Sequence, residues 1–300
     1  MRGRGRMSYI HGGGAGVRER QYLFIDGGAL RSAVKQLSKD VTGDENELTV
    51  LYPQFASGAD KVFYYDAISA QEHNEPRDAY ERRVTDEHEK FDKIRALDRF
   101  HVALGEVKGK SRNRRQKQVD VRLAVDMLTH SFRRNMQSAV LFAGDDDFIP
   151  LVEALVRDGM TITIWHPPQA TEALLGAADN RRPFTLKEAL PMLTRDGVMP
   201  AFRVTSSGSN PSHPGALGIC TMWKDQFFTY AGRWHGQLLQ MWRQLQLDAN
   251  SWEFINFHTP DSSLELALRM FDVASGWDIS TDAATHLSAP FAQLSSGSPT

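Results

Sequence analysis

Three apolar runs in the first half of the chain end the same way, each on an aspartate. Tyr22-Leu23-Phe24-Ile25 stops at Asp26, Val62-Phe63-Tyr64-Tyr65 at Asp66, and Val140-Leu141-Phe142-Ala143-Gly144 at Asp145. Short apolar runs closed by Gly or Asp read as buried strands. After the first run, Leu30, Val34 and Leu37 recur at helical spacing. After the third, a helix is expected from Phe148 to Arg157, with Gly159 placed for its C-terminal cap. The clearest helical pattern is Val119 to Phe132, where Leu123, Ala124, Met127, Leu128 and Phe132 share one face. Further strands are expected at His101–Val107 and Thr161–Trp165, a charged helix over 76–100, and helical pieces over 170–192. Strands alternating with helices imply an α/β domain with a mostly parallel sheet. Such sheets bind ligands beyond the carboxyl ends of their strands, the edge to which Asp26, Asp66 and Asp145 are delivered.

The third run opens the most acidic stretch of the chain, Gly144-Asp145-Asp146-Asp147-Phe148. Carboxylates this close repel one another, and burial aggravates the repulsion, so a nearby cation is expected. Asp26, Asp120, Asp145 and Asp147 are the candidate metal ligands, and Asp66, Asp126 and Asp146 are candidates for their surroundings. Carboxylates from separate elements are required, because a single helix cannot surround an ion. Each residue also has a purely structural reading. Asp26 can serve as a turn residue before Gly27-Gly28. Asp120 can answer the dipole of its helix, and Asp145 and Asp147 can cap the helix that follows. Asp66 reads equally as a turn residue, and Asp146 as solvent-facing. Asp126 lies six residues beyond Asp120, about 120° around a helix of 3.6 residues per turn, and cannot easily share its role.

Other chemistries find no support. No Cys/His cluster has zinc spacing, so a metal would be held by oxygens, which favours Mg2+ or Mn2+. There is no Gly-x-x-x-x-Gly-Lys-Ser/Thr loop and no Gly-x-Ser-x-Gly elbow. His88, His101, His130 and His166 are scattered without spaced partners. The single cysteine, Cys220, excludes an internal disulfide and suits a reducing cytoplasm. No window approaches the roughly 18 apolar residues of a membrane span.

The net charge is only −2, but it is unevenly spread. Lys108, Lys110, Arg112, Arg114, Arg115 and Lys117 form a basic run with no acidic residue, immediately before Asp120. Such a run reads as a phosphate footprint or as a solvated loop. Residues 1–20 are Gly/Arg-rich and expected to be a disordered basic tail. The main domain is expected over 21–197 and a linker over 198–217, since Thr205 to Pro214 is rich in Ser, Gly, Pro and Asn. Residues 218–300 hold five of the six tryptophans. There Phe227, Tyr230, Trp234, Leu238, Trp242 and Leu245 fit one helix face, and Leu264, Leu268 and Phe271 another. A small, mainly helical accessory region able to dock a protein partner is expected.

Four blocks now stand in order: Phe24-Ile25-Asp26-Gly27-Gly28-Ala29-Leu30, Val62 to Ala67, Lys117 to Asp126, and Ala143 to Leu151. Together they resemble the NYN domain family of the PIN-like ribonuclease superfamily, over about Tyr22 to Asp196. The resemblance implies a Rossmann-like α/β/α sandwich with an acidic pocket for Mg2+ or Mn2+. It implies RNA cleavage, with Asp26, Asp120, Asp145 and Asp147 as catalytic metal ligands. Two positions depart from the family pattern: Ala29 stands where Asn is common, and Asp146 where a small residue is usual. The expected function is therefore a metal-dependent endoribonuclease whose basic run holds the phosphate backbone. The alternative is a non-catalytic RNA-binding or scaffold protein of the same fold. An Asp-dependent phosphatase is disfavoured, because Asp26-Gly27-Gly28 does not supply the Asp-x-Asp such enzymes use.

Overall fold

The computed structural model describes residues 19–68, 71, 73–105, 112–210, 220–245, 251–260 and 263–287; of residues 112–117, 210 and 245 it describes the backbone alone. Residues 1–18 of the expected tail and the basic positions Lys108 and Lys110 lie outside the described residues.

The first half runs β1 (Gln21–Asp26), α1 (Gly27–Thr42), β2 (Thr49–Val50), α2 (Tyr52–Phe55), β3 (Lys61–Ala67), α3 (Arg77–Arg95), β4 (Phe100–Gly105), α4 (Arg112–Phe132) and β5 (Ser138–Phe142). It continues through a 3-10 turn (Asp146–Phe148), α5 (Ile149–Arg157), β6 (Thr161–His166), α6 (Glu172–Ala177), β7 (Asn180–Pro183), α7 (Leu186–Ala189), a second 3-10 turn (Leu190–Met192) and β8 (Leu193–Thr194). Six strands form one sheet in the order β4-β3-β1-β5-β6-β7, every neighbouring pair parallel. Numbered among themselves, these strands lie 3-2-1-4-5-6, the doubly wound order whose direction reverses between β1 and β5. Strand alternation sends Leu23, Ile25, Val62, Tyr64, Phe142 and Trp165 to one face, where α1, α2, α3 and α7 pack. Tyr22, Phe24, Tyr65, Leu141, Ile162 and Ile164 go to the other, under α4, α5 and α6. The result is the expected α/β/α sandwich with a parallel sheet. Among the described residues no helix is long and apolar enough to cross a membrane.

Local differences from expectation have physical causes. The buried line of α4 is Val119, Leu123, Met127 and Ser131, spaced by four. Phe132, expected on that face, is exposed, as are Val121 and Val125. Asn180–Pro183, inside a stretch expected to be helical, is the edge strand β7, exposed along its whole length.

The C-terminal region needed the larger correction. It contains β9 (Arg203–Asn210), β10 (Thr221–Lys224), β11 (Phe228–Trp234), β12 (Leu238–Leu245), β13 (Trp252–His258), α8 (Leu264–Ser275) and α9 (Ser280–Leu287). The expected helical elements are present, and Leu264, Leu268 and Phe271 belong to α8. Around them, however, stands a five-stranded antiparallel sheet in the order β10-β11-β12-β13-β9. Of the residues read as one helix face, Tyr230, Trp234, Leu238, Trp242 and Leu245 lie in the β11–β12 hairpin instead, and Phe227 lies in the bend before it. Tyr230 and Trp234 share one face of β11, and Leu238 and Trp242 share one face of β12. Each pair is spaced by four, a multiple of the strand period of two, but the two pairs point to opposite faces of the sheet. Gly236, at φ +70°, turns the chain between the strands. The stretch read as linker supplies β9, which pairs with β13. Trp223, Tyr230, Leu239, Met241, Phe257 and Phe271 join the same apolar cluster as α1 and α3 of the main domain. Arg269 on α8 also donates to the carbonyls of Asp40 and Val41 at the end of α1.

One glycine governs how α1 meets the sheet. A Cβ added at Gly27 would lie 2.7 Å from Cζ of Tyr64 and against Oδ2 of Asp66. The first turn of α1 can lie on the end of β3 only because that Cβ is absent. Gly27→Ala is expected to lower stability in urea unfolding by about 1–3 kcal/mol, the usual range for overpacking a filled site. An unchanged midpoint would show that α1 is seated by other contacts.

Candidate active site

The direction reversal between β1 and β5 leaves an opening at the carboxyl edge of the sheet. An open cleft of about 450 Å3 lies there, lined by residues including Asp26, Ser32, Asp145, Asp146, Gln169 and Thr171. Each carboxylate has a local reason for its position. Asp26 ends β1 with extended backbone and caps α1, its Oδ1 accepting from the N–H of Gly28 at 2.9 Å and of Ala29 at 3.1 Å. Asp145 caps the 3-10 turn, its Oδ1 accepting from the N–H of Asp147 at 2.9 Å. The Thr171 hydroxyl donates to Oδ1 of Asp146, tying the acidic block to the start of α6. Capping and site formation are therefore not alternatives: the caps point Asp26 and Asp145 into the opening.

Asp120 approaches from α4, the helix packed beneath β1, β3 and β4. Its carboxyl is pushed up to about 6 by burial first, then by the charges of Asp26, Asp145 and Asp147. Asp26 is likewise raised by burial. The N–H groups of Ala29 and Gly28 and the Arg31 guanidinium draw it back, while Asp145 raises it further. The four expected carboxylates thus share one electrostatic field, although they come from β1, α4 and the segment after β5.

They do not form a closed cage. Among the described residues, no three Asp, Glu, His or Cys side chains stand together as a set able to hold an ion. Asp26 and Asp145 line the cleft, while Asp120 and Asp147 are not among its lining residues. Uncompensated like charges stay apart, and Asp26 and Asp145 each have an oxygen tied to backbone N–H groups. The donor set still fits a hard divalent cation in oxygen type and in sign of charge.

The three expected surrounding residues separate. Asp146 lines the cleft. Asp66 is buried below α1, where it meets Arg31, the Tyr64 hydroxyl and its neighbour's amide. Asp126 accepts from the Tyr65 hydroxyl at 3.0 Å, with Arg122 4.0 Å away. Of the basic run, Arg112, Arg114, Arg115 and Lys117 form the first two turns of α4, the helix that carries Asp120. Ser32, Gln169 and Thr171 were not anticipated. Thr171 carried a helix-capping signal before Glu172, but Ser32 and Gln169 carried none.

A family profile of the NYN domain matches residues 22–184, more than half of the chain. No protein among the curated ones matches significantly. Among solved structures, one of a Vibrio parahaemolyticus protein of unknown function is 16% identical, with TM-score 0.40, covering 56% of this chain and 93% of its own. A second, from Parabacteroides merdae and provisionally assigned as an oxidoreductase, is 12% identical with TM-score 0.25. That match covers 57% of this chain and only 33% of the other.

Because folding raises the pKa of Asp120 from its ordinary 3.8 to about 6, its ionised form destabilises the metal-free fold. The penalty is absent below the unfolded value, grows as pH rises through the window between the two, and is full above it. Asp120→Asn should therefore gain stability over the parent chain in EDTA at pH 7.5, with the difference vanishing near pH 3.5. Thermal unfolding of both proteins across that range checks this. A difference independent of pH would remove the electrostatic account.

Proposed function

The chain belongs to the NYN domain family, whose fold is of PIN-like nuclease type, and on that premise we propose that it is a metal-dependent endoribonuclease. The observation that carries the reading is the shared field at the sheet edge. Asp120 is perturbed by Asp26, Asp145 and Asp147 together, so carboxylates from three segments lie within electrostatic reach of one another beside the cleft. Perturbed titratable groups beside a cleft are candidates for a functional site.

Asp26, Asp120, Asp145 and Asp147 would hold Mg2+ or Mn2+. The bound ion would activate a water and offset phosphate charge. In the reaction, a water oxygen forms a new bond to phosphorus, the bond from phosphorus to the leaving nucleoside oxygen breaks, and a proton ends on that oxygen. The chain's own contribution is placement. The caps at Asp26 and Asp145 fix the direction of two carboxylates, which limits the reorganisation needed during reaction. The basic first turns of α4 would bring the phosphate backbone towards Asp120, and their attraction to RNA would weaken with salt.

The absence of a preformed ligand cage among the described residues favours a second reading, RNA binding without cleavage. One experiment separates the two. Labelled single-stranded RNA would be incubated with the protein and with Asp145→Asn, in Mn2+, Mg2+ or EDTA. Cleavage is expected with metal, none in EDTA, and a loss of about 100-fold or more in the variant, since even outer partners of a metal ion contribute 10–100-fold. RNA bound by both proteins but left intact under every condition would sink the nuclease reading and leave the binding one.

A further inference from the structure

One strand away from the acidic cleft, at the same edge of the sheet, lies a charged pair that the proposed chemistry does not use. The side chain of Asp66, at the end of β3, is only 2% exposed. Its Oδ1 accepts from the N–H of Ala67 at 2.7 Å, and its Oδ2 accepts from the Tyr64 hydroxyl at 2.9 Å. Oδ2 also meets Nη1 of Arg31, which reaches down from α1. The buried end of the pair is thus saturated with donors.

The other end is not. The Arg31 side chain is 46% exposed, and Asp66 is its ion-pair partner among the described residues. A guanidinium carries five N–H donors in a rigid plane. One edge is fixed on Asp66, and the rest of the plane is left for another acceptor. Stability alone does not explain the arrangement, because an ion pair with one partner nearly half exposed gains little against the cost of burying the other. Gly27 adds to the case. A Cβ there would press on Asp66 and Tyr64, so the chain keeps α1 close enough for Arg31 to reach the carboxylate.

Position gives the pair its meaning. β1 lies between β3 and β5, so Asp66, Asp26 and Asp145 succeed one another along the sheet edge, with Arg31 tied to the first of them. Gln169 and Thr171, beyond β6, line the cleft on the far side. Neighbouring strands are about 4.8 Å apart. The Arg31 charge is also felt at Asp26, whose carboxyl it draws down.

We propose that Arg31 binds a phosphodiester of the RNA strand entering the acidic cleft, and that Asp66 is the positioning residue that holds its guanidinium ready. The proposal rests on the reading of the cleft as an RNA site but not on cleavage. Arginine suits the task because its planar fork matches phosphate oxygens and is pre-ordered by the buried carboxylate. Asp66→Asn removes the charge that anchors Arg31 while keeping an oxygen for the Ala67 N–H, and the Tyr64 hydroxyl can turn to accept from the new amide nitrogen.

The test is fluorescence anisotropy with a labelled single-stranded RNA of about 12 nucleotides, within the usual span of a single-strand site. Calcium, a hard cation that oxygen donors accept, replaces the catalytic ions. Arg31→Met is expected to weaken binding about fivefold at 0.1 M salt and to flatten the log-log salt dependence by about 0.7, the loss of one phosphate contact. Arg31→Lys should recover part of the affinity. Arg31→Met also leaves Asp66 buried without its partner, so the fold itself can suffer. The double variant Arg31→Met/Asp66→Asn separates the effects: it should regain thermal stability while keeping both the weaker binding and the flatter slope. Affinity and slope equal to the parent in either variant, recovery of both in the double variant, or no RNA binding by the parent would overturn the proposal. Cleavage in Mn2+, scored separately, decides the nuclease reading whichever way the binding falls.

Discussion

Between β1 and β5 the sheet changes winding direction, so the crossovers that follow these two strands leave in opposite directions. α1 leaves towards one face and α5 towards the other, and among the described residues an open cleft lies between them. Every feature of the candidate site depends on that opening. The strands end there on Asp26 and, three residues after Phe142, on Asp145. The first turns of the following elements supply the N–H groups that orient both carboxylates. α4, packed beneath, adds Asp120. Negative charge accumulates at the edge because topology brings three segments to it, and the carboxyl of Asp120, raised first by burial, is raised further by those charges.

The compensation for this charge within the fold is partial. Arg31 draws down Asp26, yet its guanidinium is committed to the buried Asp66. Asp146 is bonded to Thr171, which anchors the acidic block without adding positive charge. What remains is a set of hard oxygen donors in mutual repulsion, a condition that a divalent cation relieves. On the proposed reading, an ion bound there would offset the shared field and draw the carboxylates together.

The main domain was legible in its sequence for a clear reason. Parallel strands buried on both faces read as continuous apolar runs, and each ended on a residue that a strand interior rarely keeps. Asp26, Asp66 and Asp145 marked the carboxyl edge before any coordinates did. The helix of Asp120 was equally clear, although the exposure of Phe132 was not, because helical periodicity places residues on a face without saying how far the partner surface extends. The C-terminal region was misread because a spacing of four fits a helix and, within one strand, a strand alike. It holds for Tyr230 and Trp234 on β11 and for Leu238 and Trp242 on β12, while the turn between them sends the two pairs to opposite faces. The turn at His235-Gly236-Gln237 held the deciding signal. Within the site, the capping residues were foreseeable from type and position. Ser32 and Gln169 were not, since only the three-dimensional path of the chain brings α1 and the segment after β6 to one cleft.

The central claim, that Asp26, Asp120, Asp145 and Asp147 jointly hold a divalent cation, is tested most directly by diffraction from crystals grown with Mn2+. Anomalous difference maps locate the ion independently of any assay. A peak is expected between β1 and the acidic block, within about 2.5 Å of oxygens from at least two of these carboxylates, as hard-cation coordination requires. A fully occupied Mn2+ bound elsewhere, with the four carboxylates unmoved and unligated, would contradict it.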